Sequence, residues 1–235
     1  MTKSFAELRQ AAALANNEVA EAGLVLHAFG NASEADRESV VFAIKPSGIP
    51  CRDVIADDIV VVAIDSGDVV WGQNRPSADT PTHRALYSGF EGVGGIAHTH
   101  SLLATAWAQA RLPIPCLGTT HADHFDGSVP VTRALTDEEI VGAYEMNTGA
   151  VIVETYAAEG LDPARAPGAL VASHGPFAWG GNASAAVEVA AAIELIAQLA
   201  AQTLAISPGR PPIEAALLDR HFSRKHGPLA YYGQP

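Results

Sequence analysis

The sequence predicts an α/β fold with a mainly antiparallel sheet, and three features carry that expectation. Strand-like stretches at Val40–Lys45, Ile59–Ile64 and Val69–Trp71 follow one another with only turns between them. Direct succession suits antiparallel pairing and not the strand–helix alternation of a Rossmann sheet. Two capping-box spacings, Ser4-Phe5-Ala6-Glu7 and Thr136-Asp137-Glu138-Glu139, open helices. An apolar content of 48% against 17% charged over 235 residues suffices for one sizeable core, read as a single domain over residues 1–235.

In order, the first helix runs from Phe5 to about Glu21, ends at Gly23, and leads into a strand at Leu24, Val25 and Leu26. Phe29–Ser33 reads as a glycine turn, and Pro46-Ser47-Gly48 breaks the strand that ends at Lys45. The hairpin Asp58–Gly72 turns at Asp65-Ser66-Gly67-Asp68. Thr80 can cap, and Pro81 suits the first position of a helix reaching about Phe90. A helix over Leu102–Ala110 follows, then an irregular stretch from Leu112 to Asp126. The second capping box opens a short helix to about Met146, and Ala150–Thr155 and Ala169–Ser173 read as buried strands. Asn182 or Ser184 caps a long Ala-rich helix to about Ile206, with Glu188 and Glu194 on its one polar stripe.

Charge narrows the function classes. Acidic residues outnumber basic ones 26 to 14, for a net charge of −12, which argues against nucleic acid as a partner. A small phosphorylated substrate is compatible, since one lysine and a few backbone amides can hold it. The long apolar helix is interrupted by two glutamates, so no membrane partner is expected. Cys51 and Cys116 form neither a CxxC nor a disulfide framework, and the first residues hold no apolar signal core. The expectation is a cytoplasmic protein.

The stretch around which the chain is organised is Gly94-Gly95-Ile96-Ala97-His98-Thr99-His100-Ser101. On a strand, His98 and His100 would share a face and could share one metal ion. Hydrogen bonding to backbone or solvent is the plainer reading of an isolated His-x-His. A third imidazole, His174, lies where a strand meets Gly175-Pro176, though 74 residues separate it from His100. Three neutral imidazoles leave coordination positions open for a substrate; zinc is the foremost ion, with manganese or cobalt also accommodated.

Longer blocks then carry a resemblance. IKPSG (Ile44–Gly48), PSADTPTH (Pro76–His83), GGIAHTHS (Gly94–Ser101) and GTTHADHF (Gly118–Phe125) are four of them. MNTGAVIVET (Met146–Thr155), SHGPFAWG (Ser173–Gly180) and RKHGPLAYYGQ (Arg224–Gln234) are the others. Together they resemble the L-ribulose-5-phosphate 4-epimerases of the class II aldolase superfamily. The resemblance implies a single α/β/α layered domain around a central sheet. It matches His98, His100 and His174 to metal ligands, with Asp79 a carboxylate at the same ion. Gly30, Asn31, Lys45, Ser47, Gly48 and Ser77 match the phosphate pocket, in which Ala78 replaces a common second serine. Asp123 and Tyr232 match the acid/base pair, and Thr119, Glu145, His221 and Arg224 match supporting positions. His27–Asn31 departs from the more usual Thr-Trp-Gly-Asn wording. Both departures lie on the phosphate side. The resemblance further implies a C4 homotetramer in which the tail, about 211–235, completes a neighbouring subunit's site.

The implied chemistry suits these residue types. The carbon to be inverted carries a non-acidic C–H, whereas cleaving the C3–C4 bond yields an enediolate and an aldehyde. A Lewis acid at the histidines would stabilise the enediolate charge, and acid/base groups on opposite faces would handle the C4 hydroxyl proton. A sugar-phosphate aldolase, which typically has Glu where Asp79 stands, and a non-catalytic adducin-like interaction module remain the alternatives. Asp79 and the tail wording favour epimerisation. Lys45 as a surface lysine and Asp79 as a mere helix cap are the duller readings; His121 and His124 are read as structural.

Overall fold

The apolar stretches assemble into strands β1 (Asn31–Asp36), β2 (Val41–Ile44), β3 (Val60–Ala63), β4 (Val69–Trp71), β5 (Gly95–His98), β6 (Gly168–Leu170) and β7 (Pro176–Gly180). They form one seven-stranded sheet ordered β4-β3-β2-β1-β5-β7-β6, and every neighbouring pair is antiparallel. The computed structural model describes residues 3–25, 27–227 and 230–231.

Alternation along the strands sorts the core into two layers. Val41 and Ala43 of β2 and Val61 of β3 meet Leu8 and Ala12 of α1 (Phe5–Glu21) on one face. Phe42 faces the other way, with its ring centroid 5.2 Å from that of Tyr87 on α2 (Thr80–Gly89). On this second face Trp179 of β7 meets Phe90 and Tyr156 at 5.0 and 5.2 Å, Tyr156 belonging to α6 (Tyr144–Glu159). Each such buried aromatic removes enough apolar surface from water to contribute about 1.5–3 kcal/mol. Helices on both faces make the α/β/α sandwich that was expected.

The long helix α7 (Ala183–Ile206) lies beside α1 and against β1, β5 and β7. Asn182 caps it, its Oδ1 accepting from Ala185 N at 2.8 Å. Gly95 permits the approach: a Cβ there would lie 2.1 Å from the Asn182 backbone. By length and composition α7 could cross a membrane, yet Ala186, Ala190, Ile193 and Ala197 are buried against the sheet. Its Glu194 accepts from the backbone N–H groups of Leu103 and Ala104 at 2.9 Å. It thereby caps α3 (Leu102–Ala110), whose own N-cap residue Ser101 makes no side-chain cap bond.

Several local expectations are corrected. Ala150–Thr155 is helical, inside α6: Val151, Ile152, Thr155 and Tyr156 are buried at helical spacing, and the β-branched run imitates a strand. The capping box at Thr136 opens only α5 (Asp137–Val141); the chain breaks at Gly142 before α6 begins. Leu24 is not in a strand. Gly23 at φ +69° and the bonds Gly23 N to Ala20 O and Leu24 N to Val19 O form a Schellman end to α1. Asn31–Ser33 is strand, not turn, because β5 pairs all three residues and β2 pairs Ser33 from the other side. The Ala169–Ser173 strand shortens to β6, ending at Leu170, and the stretch from Leu112 to Asp126 contains the single turn α4 (Thr119–Ala122). Strand β7 and helix α8 (Ala215–Lys225) were not foreseen.

Candidate active site

Register places the site. Strand β5 ends at His98, so His100 is not on the strand as expected but in the loop beyond it. The two rings still converge: Nε2 of His98 is 3.1 Å from Nε2 of His100. His174, in the β6–β7 turn, joins them, with ring centroids 4.9 Å from His98 and 5.0 Å from His100. One nitrogen of each lies within 4.8 Å of the others, a span that one ion could bridge.

The chemistry of the set fits a metal. His98 Nδ1 bonds the Pro176 carbonyl at 2.9 Å; a carbonyl only accepts, so Nδ1 carries the proton and Nε2 is left with a lone pair. The ring lies on Phe177 at 4.0 Å and 12°. Burial holds the His98 imidazolium pKa down to about 3, against the opposing pull of Asp79. Burial also lowers His100 and His174. Neutral imidazoles are what a metal requires. Among the described residues these three are the His, Cys, Asp and Glu side chains grouped closely enough to hold an ion.

Asp79 stands at the N-terminus of α2 without capping it. Its Oδ2 instead accepts from Asn31 Nδ2 at 2.6 Å, and Asn31 is held beside the metal set because it pairs with His98 across β1 and β5. Burial raises the Asp79 pKa, but its interactions with His98 and His83 and the Asn31 bond outweigh it, and the net shift is downward. Behind Asp79, buried His83 bonds Ser33 Oγ through Nδ1 at 2.7 Å, and Ser33 Oγ meets Tyr87 at 2.7 Å.

The anion side is continuous with the metal side. One cavity of about 240 Å³ is lined by Ala28–Asn31, Lys45, Ser47, Gly48, Ser77–Asp79 and all three histidines. Lys45 is 2% exposed, and its ammonium donates to Ile49 O at 2.6 Å and Pro46 O at 3.3 Å. Burial lowers its pKa, with Cys51 and Asp79 acting the other way. These partners are neutral carbonyls, so the cation lacks a hydrogen-bonded carboxylate and suits an incoming anion. Gly30, at φ +77°, is required here: a Cβ would fall 2.8 Å from His98 O and 2.5 Å from Val25 Cγ1. Ser77 Oγ contacts Asn31 Nδ2 at 3.2 Å, and Ser77 N donates to Lys45 O.

Thr119, Asp123, Glu145, His221 and Arg224 do not line this cavity. Asp123 follows α4 and receives Arg224 Nη2 at 2.7 Å, Arg224 Nε at 3.0 Å and His221 Nδ1 at 3.0 Å, both partners coming from α8 of the same chain. Burial raises the Asp123 pKa, but the bonds from Arg224 and His221 and the charge of Lys225 prevail, so it is held low. Thr119 lines a different cavity, with Leu117, Leu199 and Thr203. Glu145 is in the first turn of α6, its carbonyl accepting from Thr82 Oγ1. Tyr232 lies outside the described residues. Sequence reasoning missed Tyr144, whose hydroxyl is 3.3 Å from His174 Nδ1. The signal was its place beside Glu145, just ahead of the matching block Met146–Thr155.

Comparison with known proteins places the chain among relatives. The family model described as Class II Aldolase and Adducin N-terminal domain matches residues 10–201. The L-ribulose-5-phosphate 4-epimerase UlaF of Salmonella paratyphi A (strain ATCC 9150 / SARB42) is 50% identical over 228 residues, 97% of this chain and 99% of that one. The same figures hold for the protein of that name from Salmonella typhi. Among solved structures, an L-fuculose 1-phosphate aldolase superposes with a TM-score of 0.78 at 24% identity, covering 95% of this chain and 97% of its own. The L-fuculose 1-phosphate aldolase from Glaciozyma antarctica PI12 gives 0.74 at 21%, covering 96% and 84%. These structures share the fold. The protein belongs to the class II aldolase and adducin family.

Proposed function

We propose that the protein is an L-ribulose-5-phosphate 4-epimerase, interconverting that sugar phosphate with D-xylulose 5-phosphate in carbohydrate metabolism, in the cytoplasm. One observation carries the reading: a single cavity joins three neutral imidazoles at one end to buried Lys45, hydrogen-bonded to carbonyls alone, at the other. The near full-length similarity to proteins of that name supports it.

His98, His100 and His174, with Asp79 beside them, would hold zinc, manganese or cobalt being workable substitutes. The ion supplies a Lewis acid for the negative charge that develops at C2 and C3 when C3–C4 breaks. Lys45, Ser47, Gly48 and Ser77, with Gly30, Asn31 and Ala78 shaping the wall, would hold the phosphate. A base removes the C4 hydroxyl proton, the C3–C4 electron pair passes into the enediolate, and glycolaldehyde phosphate forms. Held by its phosphate, the aldehyde turns its other face to the enediolate. C3–C4 then forms again, and an acid on the opposite side returns a proton to the C4 oxygen. Asp123 and Tyr232 would be that pair. Held ionised by Arg224 and His221, Asp123 is ready to accept, with Thr119 and Glu145 in support.

Asp123 does not line the cavity that holds the triad and is bound instead to α8 of its own chain, so this reading calls on a neighbouring copy to bring the two together. A C4 homotetramer with sites at its interfaces, completed by the tail 211–235, meets that need. Large exposed apolar side chains, among them Leu102, Leu112 and Leu199, are available for such contacts.

The test is incubation of zinc-loaded protein with L-ribulose 5-phosphate in heavy water, followed by NMR. Appearance of D-xylulose 5-phosphate without deuterium at C4 is expected. Accumulation of dihydroxyacetone and glycolaldehyde phosphate would reassign the protein as an aldolase. No conversion under any metal would overturn both.

A further inference from the structure

We infer that Tyr144 is a positioning residue for the metal centre, fixing the tautomer and ring plane of His174 through its hydroxyl and its ring. The inference rests on the metal reading above. A metal-binding imidazole needs one nitrogen free of its proton, and a partner on the other nitrogen decides which one. For His98 that partner is the Pro176 carbonyl, which commits Nε2 to the ion side. His100 also turns Nε2 to the centre.

His174 sits in a turn without a sheet neighbour to orient it. Its Nδ1 is 3.3 Å from the Tyr144 hydroxyl, and the two rings lie within 24° of parallel with centroids 6.1 Å apart. A hydroxyl oxygen accepts as well as donates. When it accepts from Nδ1–H, Nε2 keeps its lone pair for an ion, the same nitrogen that His98 and His100 turn toward each other. The local chain is built for this contact. Helix α5 stops at Gly142, where a Cβ would fall 2.9 Å from Glu138 O. Ala143 takes a non-helical conformation, and α6 starts at Tyr144 itself. Thr82 Oγ1 on α2 bonds the next carbonyl, that of Glu145, and ties the start of α6 to the helix that begins at the site.

The test is Tyr144→Phe, which keeps the stacked ring and removes the oxygen. In the zinc-free parent, nitrogen-15 NMR should find His174 protonated at Nδ1; in the variant both tautomers should be populated. Zinc affinity, measured by chelator competition well below both melting temperatures, should weaken about tenfold or more. The visible spectrum of the cobalt form should change, and the metal-free melting temperature should not. Unchanged zinc affinity, or an unchanged His174 tautomer, would overturn the assignment. A parent that binds no zinc would overturn the metal reading itself, a failure distinguishable because it needs no variant.

Discussion

Acidification should unfold the metal-free protein through its buried histidines, well above the pH at which its carboxylates act. Burial drives the pKa of His98 down to about 3 and those of His83 and His121 to about 4. An unfolded histidine titrates near 6.5. Between pH 6.5 and 4 the unfolded chain therefore binds protons that the native state refuses. Stability is full above pH 6.5 and falls as pH falls, by about 1.4 kcal/mol per pH unit per histidine. At pH 5 each has cost about 2 kcal/mol, and the three together about 6 kcal/mol, a large share of a typical 5–15 kcal/mol. His100 and His174, also lowered by burial, add in the same direction. Asp79 and Asp123, shifted downward, contribute only below this window. Urea unfolding of chelator-treated protein at pH 8, 6.5 and 5 measures the loss. His121→Asn should remove about 2 kcal/mol of the loss at pH 5 while leaving the metal set intact. A change under about 1 kcal/mol between pH 8 and 5 would refute the reasoning, because no group of buried neutral histidines could then be present.

His98→Ala should abolish stoichiometric zinc binding and turnover together, with the far-ultraviolet circular dichroism unchanged; turnover in a demonstrably metal-free variant would contradict the mechanism. Lys45→Met keeps the buried stem but removes a charge-assisted hydrogen bond worth about 1.5–3 kcal/mol, so KM should rise about 10- to 100-fold and protection from heat by inorganic phosphate should vanish. Mixing inactive His98→Ala with inactive Asp123→Asn, after dissociation and reassembly, should restore activity to about a quarter of sites if the two residues meet across a ring interface. Mixtures that stay inactive while forming hybrids would place both residues in one subunit.

What was legible in the sequence was local. Ser4 and Thr136 announce their helices because a capping box lies within four residues, and both boxes form. The long helix capped by Asn182 was bounded by an equally local signal. Ala150–Thr155 failed because Val151, Ile152 and Val153 favour strands until tertiary packing against α2 decides otherwise. His98 and His100 were found from spacing, although a loop and not a continued strand brings them together. Tyr144 was not found, because its contact with His174 spans 30 residues and exists only after folding. For Asp79 the local reading was a helix cap and only the resemblance pointed to the site; its carboxylate makes no cap bond and accepts from Asn31, 48 residues away.

Glu194 also has a bearing on how the centre tolerates change. The loop that carries His100 runs straight into α3, whose first N–H groups are gripped by a carboxylate from 91 residues downstream. The position of one imidazole is thus anchored by the most membrane-like helix of the chain. Lengthening or shortening α7 ahead of Glu194 by a single residue would rotate that carboxylate by about 100°, and the histidine loop would lose its mooring without any site residue having been touched. An insertion that a surface helix would absorb should therefore disturb the proposed metal centre, because the first half of α7 sets the position of the loop that carries His100.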